Sequence, residues 1–93
     1  MIELIGKELF QWNKGRQLKI NNSSVNEAVF SNDNIKGLKA EIIDGIVDIP
    51  NIMLTKGVRL FVYISITDDE KRETLYRKEF PIIPAAKPSD YID

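Results

Sequence analysis

An all-β fold, an antiparallel sandwich of about seven short strands with one short helical turn, is what this 93-residue sequence predicts. Three observations carry the prediction. Apolar residues recur at period two rather than 3.6 in most segments. An Asp44-Gly45 dipeptide lies between two alternating apolar stretches, where a tight hairpin turn needs residues that accept positive φ. The strongest strand candidate, residues 58–67, is rich in β-branched and aromatic side chains, as strands are. Together they give the sandwich an immunoglobulin-like pattern. A small β-barrel of the OB type, which also carries a helix between strands, is the alternative.

The elements follow in order. In residues 16–20, Leu18 and Ile20 alternate with Gln17 and Lys19, and residues 25–30 form a second short stretch of strand character. Asn32-Asp33-Asn34 reads as a turn, because Asn and Asp side chains bond to the backbone just ahead of them. Folding the chain about Asp44-Gly45 pairs strands near 37–43 and 46–49, placing Ala40, Ile42, Val47 and Ile49 on one face. The same register sets Glu41 opposite Asp48, a like-charge pair with a mild cost. Residues 50–57 carry Pro at the start and Lys-Gly at the end, a pattern for one or two helical turns that plug an end of the sheet with Ile52 and Leu54 or Met53. In 58–67, Val58, Leu60, Val62, Ile64 and Ile66 form the core face, and Arg59, Phe61, Tyr63, Ser65 and Thr67 the other. A charged loop at 68–73 leads to a last strand, 74–82, in which Pro81 is expected to end ladder pairing for want of an N–H. The domain is thus expected over 1–84, with a linker-like tail at 85–93 whose core is Lys87, Pro88, Ser89, Asp90 and Tyr91. That tail is expected to point away from the domain, since Pro88 favours an extended Lys87.

Composition narrows the chemistry. A chain of this length buries about 60–65% of its unfolded surface, enough for one core. Thirteen basic and 14 acidic side chains are interspersed, giving net charge −1 and no basic patch of the sort that neutralises phosphates. No nucleic acid is therefore expected as a partner. No apolar run approaches the roughly 20 residues of a membrane span, and the first residues lack the basic and apolar regions of a secretion signal. Synthesis and assembly in the cytoplasm, with no membrane partner, are the expectation.

The sequence has neither histidine nor cysteine. That removes the commonest general base, the thiolate nucleophile and the ligands of a structural zinc site. Asp68, Asp69 and Glu70 lack the spacing and glycine of a calcium loop and read as a solvated hairpin loop. The five glycines stand singly, so no phosphate-cradling loop is marked. The expectation is a domain that is no enzyme and carries no cofactor and no metal. Candidate partner-binding residues are Trp12 and, on the face opposite the main apolar stripe, Arg59, Phe61 and Tyr63. The same aromatics would serve a carbohydrate-binding sandwich as stacking platforms.

Three stretches in this order carry a family resemblance: 5–12 with Gly15-Arg16, then 48–54 with Val62-Tyr63, then 87–91. With them the chain resembles, over nearly its whole length, the N-terminal domain of phage and prophage tail-fibre and baseplate upper proteins of low-GC Gram-positive bacteria. The resemblance implies a virion structural role, with a β domain that docks onto the tail and a chain that continues into a coiled coil or receptor-binding region. Residues 88–91 would form the junction; the sequence departs from the pattern in stopping at Asp93, before the usual trimerising segment, as a piece of a longer protein or as a stand-alone product. The implied partners are other tail or baseplate proteins, with self-association also open to the domain. The implied location is the virion, after assembly in the bacterial cytoplasm.

Overall fold

The computed structural model describes residues 1–91; Ile92 and Asp93, the end of the tail read from the sequence, lie outside the described residues. The fold is all-β, with two sheets. The smaller has the order β1 (Ile2–Leu4), β3 (Gln17–Ile20), β6 (Ile46–Asp48). The larger has the order β2 (Leu9–Phe10), β8 (Arg72–Ile83), β7 (Arg59–Thr67), β4 (Glu27–Ser31), β5 (Leu38–Glu41). Neighbouring strands run antiparallel except β2 and β8, which pair in parallel. At three and two residues, β1 and β2 are too short for a period to mark them in the sequence.

One core lies between the sheets. The larger sheet contributes Leu9, Ala28, Phe30, Leu60, Val62, Ile64, Phe80 and Ile82, and the smaller contributes Ile2, Leu18, Ile20 and Val47. Leu60, Val62 and Ile64 are fully buried, as alternation along β7 requires. Val58 departs from the predicted core face: it precedes the strand and is 56% exposed. Ile66 is half-buried and packs against the core. Between Ile64 and Ser65 the pairing with β8 slips by one residue, a bulge that sets Ser65 against Thr74, with their hydroxyl oxygens 3.0 Å apart.

The predicted turn at Asp44-Gly45 is present, with φ of 53° and 77°, and Ile43 and Ile46 exchange both backbone hydrogen bonds across it (2.9 and 3.0 Å). The predicted hairpin stops there. β5 belongs to the larger sheet and β6 to the smaller, so the pairs Ile42–Val47, Glu41–Asp48 and Ala40–Ile49 do not form. Ile42, Val47 and Ile49 are nonetheless buried in the common core, because the chain turns the corner between the sheets with its apolar face inward. Glu41 faces Glu27 instead of Asp48.

The helical segment is a single 3-10 turn, Asn51–Leu54. Met53 and Leu54 plug the core, while Ile52, expected to share that role, is 52% exposed. A turn this short has only one inward side, and Met53-Leu54 occupy it. Pro81 does not end the pairing of β8. Ile82 N–H donates to Val58 carbonyl oxygen (2.8 Å), so by alternation the neighbouring Pro81 nitrogen points away from β7, towards the edge where β2 has not yet begun. The ladder then continues with Leu9 beside Ile82 and Phe10 beside Ile83.

Candidate docking surfaces

Because one face of the five-stranded sheet packs on the smaller sheet, the other is the outer face. Alternation along β7 puts Arg59, Phe61 and Tyr63 there, beside Val29 and Ser31 of β4 and Arg77, Glu79 and Pro81 of β8. Phe61, Tyr63 and Val29 are half-buried, against one another and beneath longer charged neighbours. The Arg77 guanidinium lies 5.2 Å from the Phe61 ring centroid, and Arg59 Nη1 is 3.3 Å from a Glu79 carboxylate oxygen. The result is an apolar centre with a rim of both charge signs. The structure therefore brings together three of the four residues singled out in the sequence: Arg59, Phe61 and Tyr63.

The fourth, Trp12, lies elsewhere, in the loop after β2. Its backbone is left-handed (φ 71°), a conformation that costs a non-glycine residue about 1–3 kcal/mol and persists only where its surroundings impose it. Trp12 N–H donates to Leu54 carbonyl oxygen (2.9 Å), and Trp12 Nε1 donates to Ala85 carbonyl oxygen (3.1 Å). The Tyr91 ring meets the indole edge-on, with centroids 5.2 Å apart, and Lys87 Nζ lies 5.1 Å from the indole centroid. Lys14 Nζ is 4.7 Å from the Tyr91 centroid. Ala85 N–H also donates to Gln11 Oε1 (3.2 Å). The described part of the tail does not lead away from the domain as expected: it folds back over Trp12, because the indole offers a large apolar face to Tyr91 and a π cloud to Lys87. A shallow depression of about 290 Å³ remains there, lined by Trp12, Asn13, Lys14, Pro88, Asp90 and Tyr91.

Two side chains make tertiary hydrogen bonds that were not anticipated from the sequence. Arg16 donates from Nη1 to Glu8 carbonyl oxygen (3.0 Å) and Asn13 Oδ1 (2.7 Å). From Nη2 it donates to the carbonyl oxygens of Ile5 (3.3 Å) and Lys7. One guanidinium thus closes the loop that carries Trp12. Gly6, at φ 93°, leaves room for it, since a β-carbon there would come within 3.2 Å of Arg16 Nη2. The sequence sign of this device is faint: two glycines, Gly6 and Gly15, bracket the loop.

Asn32 is the other. The sequence marks 32–34 as a turn, and Asn32 Oδ1 does accept from Asn34 and Ile35 N–H (2.8 and 2.7 Å). Its Nδ2 reaches further, to the carbonyl oxygens of Met53 (3.0 Å) and Lys56 (3.2 Å), tying the end of β4 to the 3-10 turn. The acidic loop has a local role: Asp68 Oδ1 accepts from Glu70 and Lys71 N–H (2.8 and 2.9 Å), capping its own turn.

Comparison of the chain with protein-family models, with curated proteins and with solved structures finds no match.

Proposed function

We propose that this is a non-enzymatic structural domain of a phage or prophage tail or baseplate, which docks onto another tail protein through the outer face of its larger sheet. One observation carries the docking part: Phe61 and Tyr63 stand half-buried on the uncovered face, with Arg59, Arg77 and Glu79 around them. An aromatic centre enclosed by a charged rim is the anatomy of a protein contact, in which aromatic and arginine anchors supply most of the binding energy. The assignment to a virion rests on the resemblance carried by 5–12 with Gly15-Arg16, 48–54 with Val62-Tyr63, and 87–91.

The experiment is a pull-down by the full chain from a lysate with the prophage induced, with retained proteins identified by mass spectrometry. Tail or baseplate components should be retained by the native chain and lost on Phe61→Ser or Tyr63→Ser, with both variants still folded by circular dichroism. No retention of tail components would overturn the reading. Specific retention on a glycan array in that case would favour the carbohydrate-binding alternative, with Trp12 or the Phe61/Tyr63 face as its platform.

A further inference from the structure

The larger sheet ends in an edge strand. β5 pairs with β4 on one side, and among the described residues no strand pairs with its other side. Ile42 N–H donates to Asn26 carbonyl oxygen (3.1 Å), so even-numbered residues of this segment turn their backbone groups towards β4. By alternation, the N–H and C=O groups of Lys39 and Glu41 point outward, ready to extend the ladder.

The charges along this edge are specific. On the outer face Glu41 stands directly opposite Glu27 in the β4–β5 register. Glu27 is satisfied by Arg72, whose Nη2 is 2.9 Å from Glu27 Oε1. Among the described residues, Glu41 and Lys39 make no ion pair. A like-charge cross-strand pair is a cost, and among the described residues no ion pair offsets it at Glu41.

We propose that β5 is a self-association edge, pairing antiparallel with β5 of a second copy about a two-fold axis at Ala40. Several observations select this register. The outward backbone groups belong to residues 39 and 41, so hydrogen-bonded pairs must form between those positions. Centring on Ala40 places Lys39 opposite Glu41 of the second copy, and Glu41 opposite its Lys39. Centring on Lys39 or on Glu41 would place like charges face to face. The Ala40 register also gives Glu41 a cation on its open side, against the Glu27 carboxylate on the other. On the inner face, Leu38 would meet Ile42 of the second copy across Ala40, which continues the apolar surface of the core; Leu38 and Ala40 are half-buried and Ile42 is buried. A two-fold axis makes each favourable pair occur twice. The inference stands on the backbone and charges of β5 and is independent of the tail-docking reading.

Sedimentation equilibrium of the full chain tests it. The apparent mass should rise from the 10.7 kDa monomer towards twice that value as concentration increases to about 1 mM. Lys39→Glu or Glu41→Lys alone should weaken the dimer roughly tenfold or more, since two attractive cross-strand pairs become two repulsive ones. The exchange of both, Lys39→Glu with Glu41→Lys, should restore the native dissociation constant to within about threefold. Glu41→Lys also relieves the clash with Glu27, so its melting temperature at monomeric concentration should rise even as the dimer is lost, which separates dissociation from misfolding. A chain that stays monomeric throughout overturns the proposal. So does a dimer indifferent to the single reversals, or one that the double exchange does not rescue.

Discussion

Asn32 Nδ2 donates to the carbonyl oxygen of Met53 at 3.0 Å, with both residues buried. That bond joins the residue that follows β4 to the 3-10 turn that helps close the core. Asn32→Ala would strand the Met53 carbonyl and two loop N–H groups and should cost roughly 2–4 kcal/mol of unfolding free energy, measured by urea denaturation. Asn32→Asp should also be destabilising at pH 7, because a carboxylate has no proton to give the two carbonyl oxygens. Burial beside those oxygens should raise the pKa of the introduced carboxyl group in the fold above its unfolded value. The deficit relative to the native chain should therefore shrink as pH falls towards the ordinary carboxyl range, about 4. A deficit independent of pH would show that the lost donor is not the cause.

The corner between the sheets depends on Gly45. Its φ is 77°, and a β-carbon there would come within 3.2 Å of Ile20 carbonyl oxygen, the residue whose N–H donates to Gly45 carbonyl oxygen (2.7 Å). Gly45→Val should destabilise by roughly 1–3 kcal/mol. Asp44 also sits at positive φ (53°), but Asp44→Gly should stay within about 1 kcal/mol of the native value, since glycine accepts that conformation freely. Equal losses at the two positions would contradict the close approach at Gly45.

Strand β7 should respond asymmetrically. Val62→Ala and Ile64→Ala remove methyl groups from fully buried sites and should cost roughly 1–4 kcal/mol through lost burial and a residual cavity. Arg59→Ala breaks only an exposed ion pair with Glu79, and its effect should stay below about 1 kcal/mol. Chemical denaturation of the three variants decides this directly. A large loss for Arg59→Ala would mean that the outer face is closed by structure, with no room for a partner.

The tail should contribute to stability where it meets Trp12. Deleting residues 87–93 removes the Tyr91 edge contact and the Lys87 cation, and should cost about 1–2 kcal/mol. Indole fluorescence should shift to longer wavelength as the ring becomes more exposed. Tyr91→Ala should reproduce most of both effects. A deletion that leaves emission and midpoint unchanged would return the tail to the extended role that its composition suggests.

What the sequence determined by itself is local. Period-two alternation places Leu18, Ile20, Leu60, Val62 and Ile64 in the core, because side chains on a strand point alternately to its two faces. Asp44-Gly45 specifies a turn, because its φ angles are a property of those two residues. The same alternation puts Arg59, Phe61 and Tyr63 on one face without saying whether a second layer covers it. What only the tertiary structure decided is pairing. A turn says that the chain reverses and does not say which strand each arm joins, so β5 went to β4 and β6 to β3. The tail shows the same limit: its prolines favour extension, and the Trp12 ring, more than 70 residues away in the chain, supplies the contact that outweighs them. The tertiary hydrogen bonds of Arg16 and Asn32 were not legible for a related reason. A polar side chain that serves carbonyl oxygens leaves no period and no motif, since its partners are backbone atoms whose positions exist only once the chain has folded.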